Sequence, residues 1–316
     1  MKRKVIKQGN GTLTITLPKQ WTKEVGLTDK DEVEFTINQN KLLVSPPDIS
    51  KEKKISINVD NFQRLSFAKF LIACYEMGFD TMELRFTKKN VKSWSHGEEK
   101  VNNVINFFIT RLVGFEILSQ TNTSIVIGNI SEKHLKFERI ISRLYFLMEE
   151  YIDNLIEALK DNRHELLNDG EQRHDNITKL IALALRILYE SDKFTKIEVM
   201  SLSTILNLLD KITDFIRHNY VHIHKHHKKI SKETIELMKH AREFFEMYRH
   251  FYNKFSYEAI NDLDDKRGEI RKLFLRSIKT HPQESSINSN FNAMVETLNG
   301  GVKPRICMEL EKDNSV

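Results

Sequence analysis

The sequence predicts a multidomain α+β protein: a small β-rich unit, then a βαβαβ middle domain, then an all-α helical bundle. Three observations carry this reading. The chain has 316 residues, room for two or three domains at about 100–200 residues each. Apolar spacing changes from period two in the first part to period 3.6 after Ser131. All five prolines sit near the ends (Pro18, Pro46, Pro47, Pro282, Pro304), and between Gly128 and Gly300 only Gly170 and Gly268 occur. In a helix interior proline costs about 3 kcal/mol and glycine about 1 kcal/mol, so residues 131–280 read as long helices. The expected domains are 1–47, 51–130 and 131–311, with a frayed tail at 312–316.

Residues 1–45 divide into four short strands around one helical turn. Lys4–Lys7 suggests a strand, Gly9-Asn-Gly11 a turn, and Thr12-Leu-Thr-Ile-Thr-Leu17 alternates as a half-buried strand does. Pro18 suits the first turn of a helix from Lys19 to Val25, and Gly26 its end. Asp29-Lys-Asp31 turns the chain into Glu32–Ile37, and Gln39-Asn40 turns it into Leu42–Val44. Such a unit buries too little to stand alone, so a dimer is expected here. Pro46-Pro47 reads as a linker.

In the middle domain, Ile55–Val59 and Thr81–Phe86 alternate as strands and enclose a helix from Leu65 to Met77. Ser95-x-x-Glu98 reads as a capping box for a helix to Leu112. Phe115–Leu118 and Ser124–Ile127 complete the sheet. Beyond Ser131, helices are expected at 131–167, 171–191, 196–226, 231–255, 257–280 and 290–311. Thr195-x-x-Glu198 is a second capping box. Two apolar stripes, Ile177 to Leu188 and Leu202 to Ile216, face a bundle interior.

Composition narrows the function. Apolar residues are 40% and charged residues 29%, which excludes disorder. The densest apolar run, Leu180–Leu185, stops at Arg186, so no membrane span is expected. The start, Met1-Lys-Arg-Lys, lacks the apolar core of a secretory leader. Cys74 and Cys307 lie far apart, which excludes a disulfide scaffold and points to a reducing cytoplasm. Cys74 reads as core and Cys307 as an incidental thiol. No Walker loop, zincin signature or nucleophile elbow is present, and the protein is not read as an enzyme.

The net charge of +5 is mild, but Lys2, Arg3, Lys4, Lys7, Lys19 and Lys23 precede the first acid, Glu24. Cations on a strand-turn-strand scaffold form a footprint for phosphate backbones. Lysines that merely keep a small domain soluble are the competing explanation. Trp21 reads as packing in the dimer core or facing a base.

The acidic motifs are Glu171-Gln-Arg-His-Asp175 and Asp210-Lys-Ile-Thr-Asp214. Residues i and i+4 share a helix face, so each motif is a same-face carboxylate pair. If the two helices form an antiparallel hairpin, Asp175 lies opposite residue 213 and Asp214 opposite residue 174. Four carboxylates then meet in one layer and need cations, protons or Lys/Arg partners. Such oxygen-rich sets suit magnesium, manganese or iron. Asp161 and His164 fold back near the same level. The alternative is a solvated face with Arg173, Lys179 and Lys211 as local partners. His218 and His222 extend the row and offer nitrogen ligands, or else serve as a polar helix end.

The N-terminal run Lys4 to Trp21, with Val25-Gly-Leu and Asp31-Glu-Val-Glu-Phe35, resembles the AbrB/MazE/SpoVT swapped-hairpin DNA-binding domain. It departs from that pattern where Lys30-Asp31 stands for Gly-Asp. Ala73–Met82 and Val113–Leu118 resemble the domain that follows it in archaeal PhoU-type regulators, and the helical part is similar to PhoU. The resemblance implies a cytoplasmic transcriptional regulator of phosphate uptake. It implies DNA, a homodimer or higher oligomer, and a phosphate transporter or sensor kinase as partners. Glu171, Asp175, Asp210 and Asp214 would hold a divalent metal or an iron cluster. The last helix lacks the acids for a second such site, since Lys303–Met308 contains none. A PhoU-type protein that docks on a transporter or kinase without binding DNA is the alternative function. A di-metal oxidase is a third reading, with Glu171-x-x-His174 its one relevant motif. Antitoxin action is disfavoured by the long bundle.

Overall fold

The structure, a computed structural model, describes residues 1–9, 11–38, 41–46, 52–93, 97–131, 135–161, 163–226 and 229–313. The chain divides into two compact units, Met1–Lys51 and Glu52–Val316.

The first unit holds two separate hairpins. Strand β1 (Ile6–Gln8) pairs antiparallel with β2 (Thr12–Thr14), Lys7 opposite Leu13. Gly9 and Gly11 bracket the turn at φ 61 and 97, where a side chain would be strained. Helix α1 (Lys19–Glu24) follows Pro18 and closes at Gly26. Asp31 Oδ2 accepts from the Thr28 amide at 2.6 Å and the Thr28 hydroxyl at 2.7 Å, which tightens the acidic turn. Strand β3 (Glu34–Asn38) pairs with β4 (Lys41–Ser45), Phe35 opposite Val44. Strands β1 and β2 are shorter than their sequence patterns, and among the described residues each hairpin pairs only with itself. The Gln39-Asn40 turn and Pro47 lie outside the described residues. No described residue of this unit is buried, and Leu13, Phe35 and Ile37 are largely exposed.

The second unit opens with β5 (Lys54–Asn58), α2 (Arg64–Glu76) and β6 (Thr81–Arg85), a parallel β-α-β crossover. A hairpin of β7 (Asn90–Ser93) and β8 (Gly97–Lys100) follows, then α3 (Val101–Ile109), β9 (Phe115–Gln120) and β10 (Ser124–Asn129). The sheet order is β5-β6-β10-β9, antiparallel except for β5 on β6. The expected βαβαβ order is thus interrupted by an extra hairpin. The Ser95-x-x-Glu98 cue is corrected: Glu98 lies in β8, and α3 begins at Val101 after Lys100, without a side-chain cap. Gly97 takes φ 72 and lets the chain fold back, which buries Val91.

The bundle contains α4 (Phe137–Lys160), α5 (Gly170–Glu190), α6 (Lys196–His226), α7 (Lys232–Asn253), α8 (Tyr257–Thr280), α9 (Ser285–Asn299) and α10 (Val302–Asp313). The expected 131–167 helix stops at Lys160, and a short 3-10 turn covers His164–Leu167. The expected helix 290–311 is two helices divided at Gly300-Gly301. A Cβ on Gly301 would lie 2.1 Å from the Tyr248 hydroxyl, so α10 packs where only glycine fits. Residues 314–316 lie outside the described residues.

The second capping box is present. Thr195 Oγ1 accepts from the Glu198 amide at 3.1 Å, and Glu198 Oε2 from the Thr195 amide at 2.9 Å. Both apolar stripes face the core, with Ile177, Ile181, Ala184 and Leu188 buried on α5 and Leu202, Ile205, Leu209, Ile212 and Ile216 on α6. Tyr151 and Tyr220 stack with centroids 4.5 Å apart, and the Tyr220 hydroxyl donates to the Tyr151 carbonyl at 2.8 Å. Cys74 is core, as expected, and burial pushes its thiol up to about 11.

Two glycines test this packing in opposite directions. Gly301→Ala should destabilise the fold by about 1–3 kcal/mol, through overpacking against Tyr248. Gly268→Ala should stabilise it by about 0.5–1 kcal/mol, since a Cβ there meets nothing within 4 Å inside α8. Urea denaturation of both variants would check this.

Candidate functional site

Two clusters stand out, one basic and one acidic. The basic cluster lies in the first unit. Lys2, Arg3 and Lys4 precede β1, Lys7 is on it, and Lys19 and Lys23 share one face of α1 at i, i+4 spacing. All six are exposed, and among the described residues none makes an ion pair. Unpaired, solvated cations on a strand and a short helix are suited to meeting phosphate oxygens.

The acidic cluster lies on the α5–α6 hairpin of the second unit. The antiparallel register places residue 174 opposite Asp214, as the sequence predicts. His174 Nε2 is 3.3 Å from Asp214 Oδ1, and its Nδ1 is 3.1 Å from Asp175 Oδ1. The imidazole thus ties one acid of each motif to the other. Burial opposes charge on His174, but the bonds to Asp175 and Asp214 outweigh it and raise its pKa. Asp175 is held low despite burial by His174 and Arg111, and Asp214 by the His174 bond. Asp210 goes the other way: burial and the neighbouring Asp214 raise it. Glu171 points outward and meets Arg217 at 3.5 Å.

Helix α2 adds Glu76, which motif reasoning missed because it lies a hundred residues upstream. Burial and the Asp210 charge push its carboxyl up to about 7. Glu76, Arg111, His174, Asp210, Asp214 and Ile72 line a cleft of about 210 Å3. Asp161, His164, His218 and His222 are not among the residues that line it.

The cleft exists because α5 carries a docking stripe. Asp175, Lys179, Ala182 and Arg186 recur at helical spacing and meet the middle domain. Arg111 Nη2 donates to both Asp175 oxygens at 2.6 and 2.7 Å. Lys179 Nζ donates to the Thr110 carbonyl at 2.9 Å. Ala182 packs into the sheet domain's core. Arg186 donates to the Tyr75 and Phe79 carbonyls at 2.8 and 2.9 Å and to Asp80 Oδ1 at 3.1 Å. A lone arginine inside an apolar run is the signal that could have marked Arg186 as buried and paired.

The fit to a metal is poor in this arrangement. Both Asp175 oxygens are engaged by Arg111, Asp214 by His174, and Glu171 faces outward. Among the described residues no group of three or more His, Cys, Asp or Glu is placed to hold a metal ion.

Comparison with known proteins bears on the first unit. Residues 6–53 match the family model described as antidote-toxin recognition MazE, bacterial antitoxin. No curated protein matches the chain. Among solved structures, the phosphate transport system regulatory protein PhoU from Streptococcus pneumoniae is similar at 12% identity and a TM-score of 0.41. The match covers 55% of this chain and 93% of that one. Among the described residues no helix is long and apolar enough to cross a membrane.

Glu76 makes the cleft pH-sensitive. Its folded pKa of about 7 lies above the ordinary 4.5, so the neutral carboxyl stabilises the fold fully below about pH 4.5, and this is lost as pH rises through 7. Glu76→Gln keeps the neutral shape. Its melting temperature should match the parent near pH 4 and exceed it near pH 8, by an equivalent of about 2 kcal/mol.

Proposed function

We propose that this protein is a cytoplasmic, dimeric DNA-binding regulator of phosphate uptake, with the bundle sensing phosphate status. One observation carries the DNA-binding part: six exposed, unpaired cations and no acid through residue 23, in a domain that matches an antitoxin family model. The absence of any buried side chain among the first unit's described residues supports dimerisation. Two short hairpins with Leu13, Phe35 and Ile37 in water are not stable alone, and a second copy would cover them. A dimer would present about twelve cations to the DNA backbone. The strand-and-turn scaffold suits backbone and shape readout, with Arg3, Lys4, Lys7 and Lys19 the principal contacts. The phosphate-uptake part rests on the order of the three sequence resemblances and on the contact of His174, within the first acidic motif, with Asp214 of the second.

Replacing Arg3, Lys4, Lys7 and Lys19 with alanine should weaken DNA binding. The slope of log K against log salt should flatten by about 0.9 for each phosphate that is no longer neutralised. An unchanged slope would assign these residues to solubility and favour a regulator that docks on a transporter or kinase. Genome-wide crosslinking in phosphate-rich and phosphate-starved cells then tests the promoters bound.

Sedimentation of the full chain should give a dimer. The double variant Leu13→Asp with Phe35→Asp should sediment as a monomer with the helical content of the second unit intact.

A further inference from the structure

Asp175 is engaged from outside its own bundle. Arg111 sits in the turn that ends α3, in the sheet domain, and its Nη2 reaches both carboxylate oxygens of Asp175. Its guanidinium lies 4.5 Å from the Phe107 ring centroid, which limits where the side chain can point. One helical turn along α5, Lys179 holds the neighbouring Thr110 carbonyl. Arg111 and Asp175 are each three-quarters buried, at 25% side-chain exposure, so their attraction is less screened than that of a surface pair.

Two further acids of the layer, Asp214 and Glu171, meet internal cations as well. His174 bridges Asp175 and Asp214, and Arg217 lies 3.5 Å from Glu171 and 3.9 Å from Asp214. Same-face carboxylates need a cation, and here the chain supplies its own. Arg111 occupies both oxygens of Asp175, so a metal ion there would compete with it for lone pairs and meet its positive charge at close range.

We propose that Arg111 is the resident cation of the acidic layer, standing where a divalent metal would stand, and that this ion pair latches the sheet domain onto the bundle. Cation binding at Asp175 and docking of α3 then oppose one another. By linkage, whatever occupies Asp175 weakens the domain contact, and whatever pulls α3 away exposes an acidic site. The latch gives the fold two states, with α3 either docked or released.

The test uses the full chain, purified without a histidine tag. The parent should contain no stoichiometric metal by elemental analysis, and EDTA should leave its melting temperature unchanged. In Arg111→Met, which keeps bulk and loses charge, backbone amides of residues 101–112 should exchange hydrogen about tenfold faster, while those of α7 keep their protection. The melting temperature of this variant should rise when MnCl2 is added, because the freed carboxylates now accept the ion. Arg111→Lys should restore part of the α3 protection. If Arg111→Met does not fold, Asp175→Asn cuts the same contact from the bundle side and should give the same exchange pattern. Bound metal in the parent, or a parent melting temperature lowered by EDTA, would show that a metal and not Arg111 holds the layer. Unchanged α3 exchange in the variants would remove the latch. An Arg111→Met protein that ignores Mn2+ would deny that the guanidinium stands in a metal's place.

Discussion

A buried guanidinium, that of Arg186 on α5, determines where the sheet domain meets the bundle. It is 4% exposed, and its charge is met by two carbonyls at the end of α2, by Asp80 and by Glu190. The Tyr75 carbonyl belongs to the last turn of α2, where the helix dipole is negative, and Phe79 follows just beyond the helix. The planar group also lies 5.1 Å from the Tyr75 ring centroid and 5.3 Å from that of Phe115. A charge this deep is tolerable only while all its partners remain, since removing one partner of a buried pair costs about 3–5 kcal/mol. Gly78 belongs to the same contact, because a Cβ there would sit 2.7 Å from a Glu190 oxygen. With α2 held along α5, Glu76 faces Asp210 and the end of α3 reaches Asp175.

The packing that results separates four similar acids into two groups. Asp175 and Asp214 have His174 and an arginine or lysine within 4.0 Å, and stay ionised. Asp210 and Glu76 face each other, and among the described residues neither makes a hydrogen bond or ion pair. Burial and mutual repulsion then favour the protonated form. Similar carboxyls are shifted in opposite directions, Asp175 and Asp214 down and Asp210 and Glu76 up, and the difference is which side chains the tertiary packing delivers.

The first unit obeys another constraint. It has turns, capping glycines and a short helix, but its described residues include no buried side chain. Local geometry is settled without a core. All six basic residues are solvated and, among the described residues, unpaired, a state in which long-range attraction to a polyanion is least compromised by internal partners.

Much of this was legible in the sequence where the cause is local. The Thr195/Glu198 capping box, the strands Thr81–Arg85 and Ser124–Asn129 and the helix α6 follow from spacing over a few residues. The facing of residue 174 and Asp214 follows as well, since two helices joined by a short loop have one simple register. The Ser95/Glu98 signal failed because Gly97 permits a hairpin that competes with a helix start, and burial of Val91 decides between them. The break at Gly300-Gly301 depends on Tyr248, fifty residues away. The partners of the acidic motifs, Arg111 from α3 and Glu76 from α2, come from a different domain. Sequence alone determined most of the helices and strands and which acids share a face, because neighbouring residues set those. Only the tertiary structure decided which charges meet those acids, because that depends on how separately folded layers pack.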